Sequence, residues 1–451
     1  MLNNKKNGTL LLLTALAGCA SYTPQRLPST PNLAASVPQL SVDAAKLPLP
    51  SLQSHRFDPS DGLDITEVAT LAVVNNPDLK LARDDARVAQ AQAFAAGLLP
   101  DPQLSLSRDI PTSNIAGLTS AFNASISEDL NALLTHGIAQ AAARSEQKKA
   151  NLDLLWKEWQ VVSQARDLLV KLLGQRRQLA VLQDSFRLAN DRYQRVRRAL
   201  VQGNETTDAV TSSLAAVEDI RRQIDDLTRK RNQNAFDLNE LLGLAPQVKL
   251  DLTGAVALPS WSARVVRDAV RALPRYRPDL LALQAGYNAQ DESYRKAILA
   301  QFPALNVGLT RARDTSGIYT SGFGITLSLP FLNRNRGNIA VEQATRSKLR
   351  DDYQARLNKA DSDVERLLAE RTVLLRQKKG IDAGLRHLEQ AAANAETALR
   401  AGNLGYLGYA SVQEALLAKR LEAIDTDTSL LEQGVALQAL LGGELPTERP
   451  Q

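Results

Sequence analysis

Residues 179–200 read LAVLQDSFRLANDRYQRVRRAL, and this stretch decides the fold. Its apolar side chains recur at alternating steps of three and four residues, the heptad spacing of helices that pack side by side. The members of this seam are Leu179, Leu182, Phe186, Ala189, Tyr193, Val196 and Leu200. The proline-free helical pattern extends back to about Asn131. At about 1.5 Å per residue, such a helix reaches roughly 100 Å, so the sequence predicts an elongated and mainly α-helical molecule.

The helices on either side of this long segment are each too short to cover it. The return segment, residues 206–242, is about half as long. The segment that precedes the strands, residues 64–97, opens with a capping box formed by Asp64 and Glu67 and supplies about the other half. We therefore expect the two shorter helices to stack end to end along the long one, in an antiparallel coiled-coil column.

Three short motifs occur twice in the chain, in the same order. Asn76-Pro77-Asp78-Leu79 recurs as Arg277-Pro278-Asp279-Leu280, about 200 residues later. The Gly-Asn turn at Gly203 recurs at Gly402, and the segment Leu241-Leu242-Gly243 recurs as Leu440-Leu441-Gly442. Ordered matches at a nearly constant offset predict two copies of one unit, residues 64–245 and 246–443, followed by a tail at 444–451.

Each copy also contains two short segments that alternate between apolar and polar residues. These predicted strands cover about residues 103–109, 119–128, 304–313 and 320–330. In the third strand, Leu305, Val307 and Leu309 alternate with Asn306 and other small or polar residues. This pattern suits a barrel with lipid outside and water inside, whose strands need about 9–11 residues. A soluble hairpin packed on a helix requires the same alternation and stays open as the alternative.

The composition excludes several classes of function. The 451 residues carry 54 Lys and Arg against 49 Asp and Glu, a net charge of +5, but the charges alternate along helices and form no basic run. Nucleic-acid binding is therefore not expected. With Cys19 as the single cysteine and three histidines in all, the chain has no internal disulfide and no cysteine-based zinc site. We assign no catalytic, cofactor-binding or metal-binding residue and do not expect an enzyme.

The N-terminus carries an export signal. Lys5 and Lys6 precede an apolar run over residues 9–17, and Leu16-Ala17-Gly18 leads into Cys19. This order predicts a signal peptide over residues 1–18 and resembles the bacterial lipobox, in which the cysteine becomes the lipid-modified, palmitate-bearing first residue. Ala20 in the second mature position favours the outer membrane. An ordinary signal peptide with an incidental thiol is the alternative. Residues 19–63 read as an extended arm that contains several prolines.

The ordered set of features resembles the TolC-like outer membrane factor family. It consists of the lipobox, the proline-containing arm, the paired Pro-Asp-Leu motifs, the segment Ser328-Leu329-Pro330-Phe331-Leu332 at a strand-to-helix junction, and Leu441-Gly442-Gly443 near the end. The resemblance implies a homotrimer whose strands form one twelve-stranded β-barrel, continued by an α-helical tunnel into the periplasm. It further implies a passive exit duct for a tripartite efflux pump or type I secretion system, with a periplasmic adaptor and an inner-membrane transporter as partners.

The chain departs from the family pattern at two places. The first strand-to-helix junction reads Ser127-Glu128-Asp129-Leu130, without proline. The second interhelical turn, residues 402–409, is rich in glycine and looks longer than is usual in the family.

The resemblance places the closed end of the tunnel at the interhelical turns. The gate residues expected there are Glu205, Asp208, Arg400, Tyr406, Tyr409, Ser411 and Glu414. Rings of carboxylates would attract cations, and bonds to Arg400 or to a tyrosine would hold the constriction shut. Alternatively, Glu205 and Asp208 only favour a helix N-terminus through its dipole.

At the level of the whole protein, a lipid-anchored periplasmic coiled-coil scaffold or adaptor without a pore is the competing interpretation. The exported cargo (drug, metal ion or polypeptide) stays open.

Overall fold

The computed structural model describes residues 22–40, 57–112, 117–254 and 262–442, together with Leu47, Leu52 and Val256. The signal peptide, Cys19 and the C-terminal tail lie outside the described residues. The elements are, in chain order, α1 Ile65–Asn75, α2 Pro77–Ala96, β1 Gln103–Asp109, β2 Ala121–Asp129, α3 Leu130–Val201, α4 Thr207–Leu241, α5 Ala263–Tyr276, α6 Pro278–Leu299, β3 Ala304–Arg313, β4 Tyr319–Ser328, α7 Arg336–Arg400 and α8 Tyr406–Leu440.

This order confirms the predicted fold class, a mainly helical chain with a small antiparallel sheet and two copies of one helix–hairpin–helix unit. The long helices α3 and α7 contain 72 and 65 residues, and the return helices α4 and α8 contain 35 each. Helix α3 packs against α1, α2 and α4 of its own copy and against α6 and α8 of the second copy. It therefore joins the helices of the two copies, while the pairing of β2 with β3 joins their strands.

None of the helices that the structure describes combines the length and the apolar character needed to cross a membrane.

The segment before the first strands is two helices, where the sequence pattern predicted one. Asn76 separates α1 from α2 with φ −58° and ψ 126°, an extended conformation, because a residue that precedes proline is disfavoured in the helical region. The Asn76 side chain then caps α2 by accepting a hydrogen bond from the Leu79 backbone N–H at 2.9 Å. The break in the second copy has the same cause, with Arg277 extended before Pro278.

These breaks are also the points where the short helices meet end to end. The Asn76 side-chain amide donates to the Leu241 carbonyl at 3.0 Å, in the last turn of α4. In the second copy the Arg277 guanidinium donates to the Leu440 carbonyl at 3.1 Å, in the last turn of α8. The last carbonyls of a helix have no partner within it, so these bonds satisfy them and align each return helix with its neighbour. The repeated motifs therefore mark two structurally equivalent joints.

The second joint contains a buried ion pair. Arg277 Nε lies 2.7 Å from Asp279 Oδ1, and Arg277 Nη2 donates to Asp279 Oδ2 at 3.0 Å, with both side chains about 5% exposed (4% and 6%). The guanidinium also lies 4.7 Å from the Trp156 ring of α3. The bidentate geometry and the carbonyl bond use several of its donors, which is what keeps a buried charge tolerable.

Apolar cores lie beside both joints. Around the first joint, Leu71, Leu79, Leu169, Leu238 and Leu242 belong to one cluster of buried side chains. Around the second joint the buried cluster contains Leu273, Leu280, Val364, Leu437 and Leu441. Burial of a leucine is worth about 1.5–3 kcal/mol, so these clusters provide the main stabilisation at the level of the joints.

The four strands form one antiparallel sheet in the order β1-β2-β3-β4. The expected strands are confirmed to within about two residues at each end, with β2 beginning at Ala121 and β4 ending at Ser328. Leu309 pairs with Ile126 on one side and Phe323 on the other, and Val307 pairs with Ile325. Directly paired residues share a face, so the apolar residues of the strands lie on one side of the sheet.

The two joints make a testable comparison. Replacing Arg277 with Ala leaves the buried Asp279 with only the longer ion pair to Arg356, at 3.7 Å. We expect a loss of about 3 kcal/mol in the free energy of unfolding, the lower end of the cost of breaking a buried pair. Replacing Asn76 with Ala removes a neutral helix cap and one hydrogen bond to a carbonyl. For this variant we expect a loss of about 1–2 kcal/mol in the free energy of unfolding. Chemical denaturation followed by circular dichroism measures both. Equal losses from the two variants would contradict the role assigned to the buried charge.

Candidate functional site

The candidate site lies at the tips of the long helices, where both interhelical turns have the same geometry. Gly203 and Gly402 adopt φ values of +75° and +71°, which glycine reaches without strain. Asn204 N donates to the Ala199 carbonyl and Asn403 N to the Ala398 carbonyl, each at 2.8 Å, which closes the helix ends in the manner of a Schellman motif. The second turn is no longer than the first, because α8 already begins at Tyr406 and takes the remaining glycines into its first turn.

Two polar bridges connect α3 to α8 near these tips. The Tyr406 hydroxyl donates to Asp191 Oδ2. Arg195 Nε donates to the same carboxylate oxygen at 3.0 Å, and its guanidinium lies 4.0 Å from the centre of the Tyr406 ring. Two turns further along α8, Arg192 Nη1 donates to both carboxylate oxygens of Glu414 at 3.0 Å. We call these five residues the tip cluster.

The ionisation of the tip cluster favours this arrangement at neutral pH. The hydrogen bond from Tyr406, followed by those from Arg195, lowers the pKa of the Asp191 carboxyl. Burial, reinforced by the bond to Asp191, raises the pKa of the Tyr406 hydroxyl to about 12. Tyr406 therefore stays protonated and Asp191 ionised over the physiological range, which is the combination in which a phenol donates to a carboxylate.

The structure places the expected gate residues as follows. Tyr406 and Glu414 belong to the tip cluster, and the ring of Tyr409 lies 6.1 Å from that of Tyr406. Ser411 donates to the Leu407 carbonyl of its own helix at 3.0 Å, and Arg400 pairs with Glu396 one turn back on α7. Arg400 thus bonds within its own helix, where an interhelical bond was expected.

The remaining two residues lie at the start of α4. Glu205 is half-buried in the turn and Asp208 is exposed in the first helical turn, where a carboxylate interacts favourably with the helix dipole.

Sequence reasoning missed the α3 half of the cluster. Asp191, Arg192 and Arg195 are near the end of a long charged helix, where most such residues pair within one turn. The available signal was their position beside Ala189 and Tyr193, members of the heptad seam, because charges that flank a seam can reach the facing helix. The tertiary structure alone determines which helix faces these charges.

Among the residues that the structure describes, no three His, Cys, Asp or Glu side chains come together in a way that could hold a metal ion. Asp129, one of the adjacent carboxylates in the sequence, caps α3 by accepting from the backbone of Asn131 at 2.9 Å and Ala132 at 3.2 Å. That cap allows β2 to enter α3 without the proline present at the second junction.

The pH dependence of the Tyr406 bond follows from these shifts. A lowered carboxyl pKa means that the stabilisation is complete above the unfolded pKa of about 3.9 and is lost as pH falls through the lower folded value. Tyr406→Phe should therefore accelerate amide hydrogen exchange in the first turns of α8 by the same factor at pH 5 and pH 8. Ser411→Ala, which affects a bond within α8, serves as the control. An effect of Tyr406→Phe that disappears at pH 5 would contradict the assignment.

Comparison with known proteins gives concordant results. Residues 271–443 match the family model described as outer membrane efflux protein. The chain is 25% identical over 265 residues to outer membrane protein OprJ of Pseudomonas aeruginosa. That alignment covers 54% of each protein, so the match spans about half the length of this relative.

Solved structures share the fold over nearly the whole chain. CusC, studied for folding and transmembrane channel formation, superposes with a TM-score of 0.68 at 19% identity, over 94% of this chain and all (100%) of CusC. The Campylobacter jejuni CmeC outer membrane channel superposes with a TM-score of 0.71 at 16% identity, over 96% of both chains. The second copy is therefore similar in sequence to the outer membrane efflux protein family, and the chain as a whole has the fold of the solved outer membrane channels.

Proposed function

We propose that this protein is the outer-membrane exit duct of a tripartite efflux or type I secretion system. It would conduct substrate passively from a periplasmic adaptor and an inner-membrane pump to the exterior. The observation that carries the proposal is the state of the sheet edges. Within the described part of the chain, strands β1 and β4 have a neighbouring strand on one side only, and every residue of both is exposed. Such long open edges are unstable in isolation and require further strands.

A ring of copies of the chain would satisfy these edges. All neighbouring strands in the sheet are antiparallel, so β4 of one copy can pair with β1 of the next without breaking the alternation. Head-to-tail contacts that repeat around an axis close into rings. Three copies, the number implied by the family, would give a closed twelve-stranded barrel with no edge left.

The helices support the same closure. Among the described helices, α3 packs against both α6 and α8 of the other copy, whereas the main contacts of α7 are with α5, α6 and α8 of its own copy. The internal repeat makes α7 the counterpart of α3, so the equivalent contacts for α7 are α2 and α4 of a neighbouring molecule. These helices have exposed apolar side chains that suit such contacts, among them Leu81, Val88 and Phe94 on α2, Leu214 and Phe236 on α4, and Val373 and Leu375 on α7.

The apolar face of the sheet is the surface that we assign to lipid. Ile325 is 57% exposed, Leu327 53% and Leu309 60%, although all three are large hydrophobic residues. The opposite face carries Asn306, which pairs with Thr326, and other small or polar residues that suit a water-filled interior. The two faces therefore differ as the two sides of a membrane barrel do.

The facing of the strands can be tested with adjacent residues. We expect Ile325→Arg to cost about 2–4 kcal/mol because it places a charge in the middle of the lipid-facing band. Thr326→Arg, on the other face of the same strand, should leave assembly nearly unchanged. The yield of heat-resistant trimer in mild detergent measures both. Equal damage from the two variants would contradict the proposed facing.

Conduction tests the function itself. Purified wild-type protein should form channels in planar bilayers, and a stable coiled-coil trimer that never conducts would favour the scaffold alternative.

The combined variant Tyr406→Phe and Glu414→Gln removes both polar bridges of the tip cluster and should raise conductance several-fold, because the tips are then free to separate. Ser411→Ala should conduct like the wild type. Conductance of the combined variant equal to that of the wild type would remove the tip cluster from the gate.

For the two carboxylates of the expected gate at the start of α4, we propose a role through charge. Glu205 and Asp208 would line the constriction as rings repeated around the axis and select cations. Asp208→Asn should then reduce the preference for cations over anions in the same bilayers. Lower thermal stability with unchanged selectivity would instead support the alternative role as dipole-stabilising residues.

The anchor forms a separate part of the proposal. Cleavage before Cys19 and lipid attachment to it would hold the N-terminal arm at the membrane, with the firm attachment that more than one acyl chain provides. Mass spectrometry of the mature N-terminus should find a lipid-modified cysteine, and Cys19→Ser should abolish that modification. An unmodified N-terminus in the wild-type protein would refute the anchor without affecting the channel.

A further inference from the structure

The lipid-facing side of the sheet carries a basic and aromatic row at one end. Arg108 pairs with Phe122, Phe122 with Arg313, and Arg313 with Tyr319, so one row crosses all four strands. The Phe122 and Tyr319 rings approach edge to face with centroids 6.1 Å apart across the intervening Arg313. This contact places the side chains on a common face. The register assigns that face to the apolar side, two rows beyond Leu309.

The arginines of this region have no acidic partner among the described residues. Arg311, exposed one row closer to the sheet centre, pairs with Ala124 and Ser321 of the neighbouring strands. Arg108 donates to the Ser120 hydroxyl at 3.1 Å, and the Arg313 guanidinium lies 5.5 Å from the Tyr319 ring. In the part of the chain that the structure describes, no carboxylate forms an ion pair with any of the three, and the buried Nε of Arg313 has no hydrogen-bond acceptor.

The carboxylates nearest to the row are directed elsewhere. Asp109 pairs with Ala121 one residue out of step with the row, which places it on the opposite face of the sheet. Asp314 is turned into the β3–β4 loop, where its Oδ1 accepts from the backbone of Ser316 and Ile318, each at 2.9 Å. Three positive charges therefore remain uncompensated on the apolar face, at the end of the sheet away from α3 and α7.

The depth of the row matches the lipid headgroups. Ile325 is midway between Tyr319 and Phe331, two exposed aromatic residues of the kind that mark membrane interfaces. Six residues at about 3.4 Å each, tilted by about 45°, put the row roughly 15 Å from the level of Ile325, which is half of a hydrocarbon core of about 30 Å. The backbone of Arg311 lies one row deeper in the hydrocarbon core, but its long side chain can reach the level of the headgroups.

We propose that Arg108, Arg311 and Arg313 form a binding site for the phosphate groups of an anionic lipid in the outer leaflet. The proposal rests on the assignment of the sheet to the outer membrane. Guanidinium groups bind phosphate through paired, charge-assisted hydrogen bonds, and the neighbouring apolar rows would hold the acyl chains of the same lipid molecule. Ring assembly would repeat the site once per protomer, at the end of the barrel away from the periplasmic helices.

The test uses the full-length trimer, purified in neutral detergent, and a diphosphorylated lipid A as the probe. Lipid retained after washing is counted per trimer by native mass spectrometry. The triple variant Arg108→Gln, Arg311→Gln, Arg313→Gln should retain roughly tenfold less probe than the wild type, because several charge-assisted bonds are lost. The double variant Arg334→Gln, Arg336→Gln, at the opposite end of the sheet, controls for loss of charge and should bind the probe like the wild type.

Three further outcomes decide the proposal. Equal retention by the wild type and the triple variant would overturn it, as would equal loss in the control variant. Displacement of the probe by millimolar inorganic phosphate would also overturn it, because the site would then bind a free anion and not a lipid. If the triple variant fails to assemble, Arg311→Gln alone gives the comparison. Channel formation by the same wild-type preparation in planar bilayers reports on the duct separately, so the two proposals fail independently.

Discussion

A helix of about 100 Å needs a partner along its whole length, and the rest of this structure depends on how that need is met. Neither the return helix nor the helices before the strands are long enough, so the chain assembles the partner from two pieces. The joint between the pieces is the weak point, because the last carbonyls of a helix have no hydrogen-bond partner within it. Asn76 and Arg277 satisfy those carbonyls from the residue that a following proline has already forced out of the helix.

The two joints satisfy the carbonyls at the helix ends with different chemical groups. The first uses a neutral amide, and the second uses a guanidinium that needs Asp279 and Trp156 around it. Both are surrounded by buried leucines, so the packed core of this elongated molecule is concentrated beside the joints. Away from them, the long helices are held by the seam and by surface ion pairs, many of them within one turn of the same helix. Each such pair contributes at most about 1 kcal/mol, so the tips can move at small cost.

This distribution of stability fits the proposed duct. The regions beside the joints have buried clusters, whereas the tips are joined by two polar bridges of partly exposed groups, with the side chains of Arg192 and Glu414 35% and 39% exposed. Bridges of this kind can break without exposing apolar surface, which a packed core cannot do. At the other end, the sheet has an exposed apolar face and two open edges. In the proposed duct, further copies would cover the edges and lipid would cover the face.

The sequence by itself determined the long helices, the repeat and the strands. Heptad spacing and apolar alternation are local patterns that the backbone must obey, and these elements agree with the structure to within a few residues, whereas the break at Asn76 in the first helical segment was not predicted. It also placed Tyr406 and Glu414 near the tips of the long helices. Tertiary structure alone decided what they bond to. Asp191, Arg192 and Arg195 lie more than 200 residues earlier in the chain, and only the packing of α3 against α8 brings them within reach. The same holds for the basic and aromatic row, because only the pairing of the four strands brings Arg108, Phe122, Arg313 and Tyr319 together on one face.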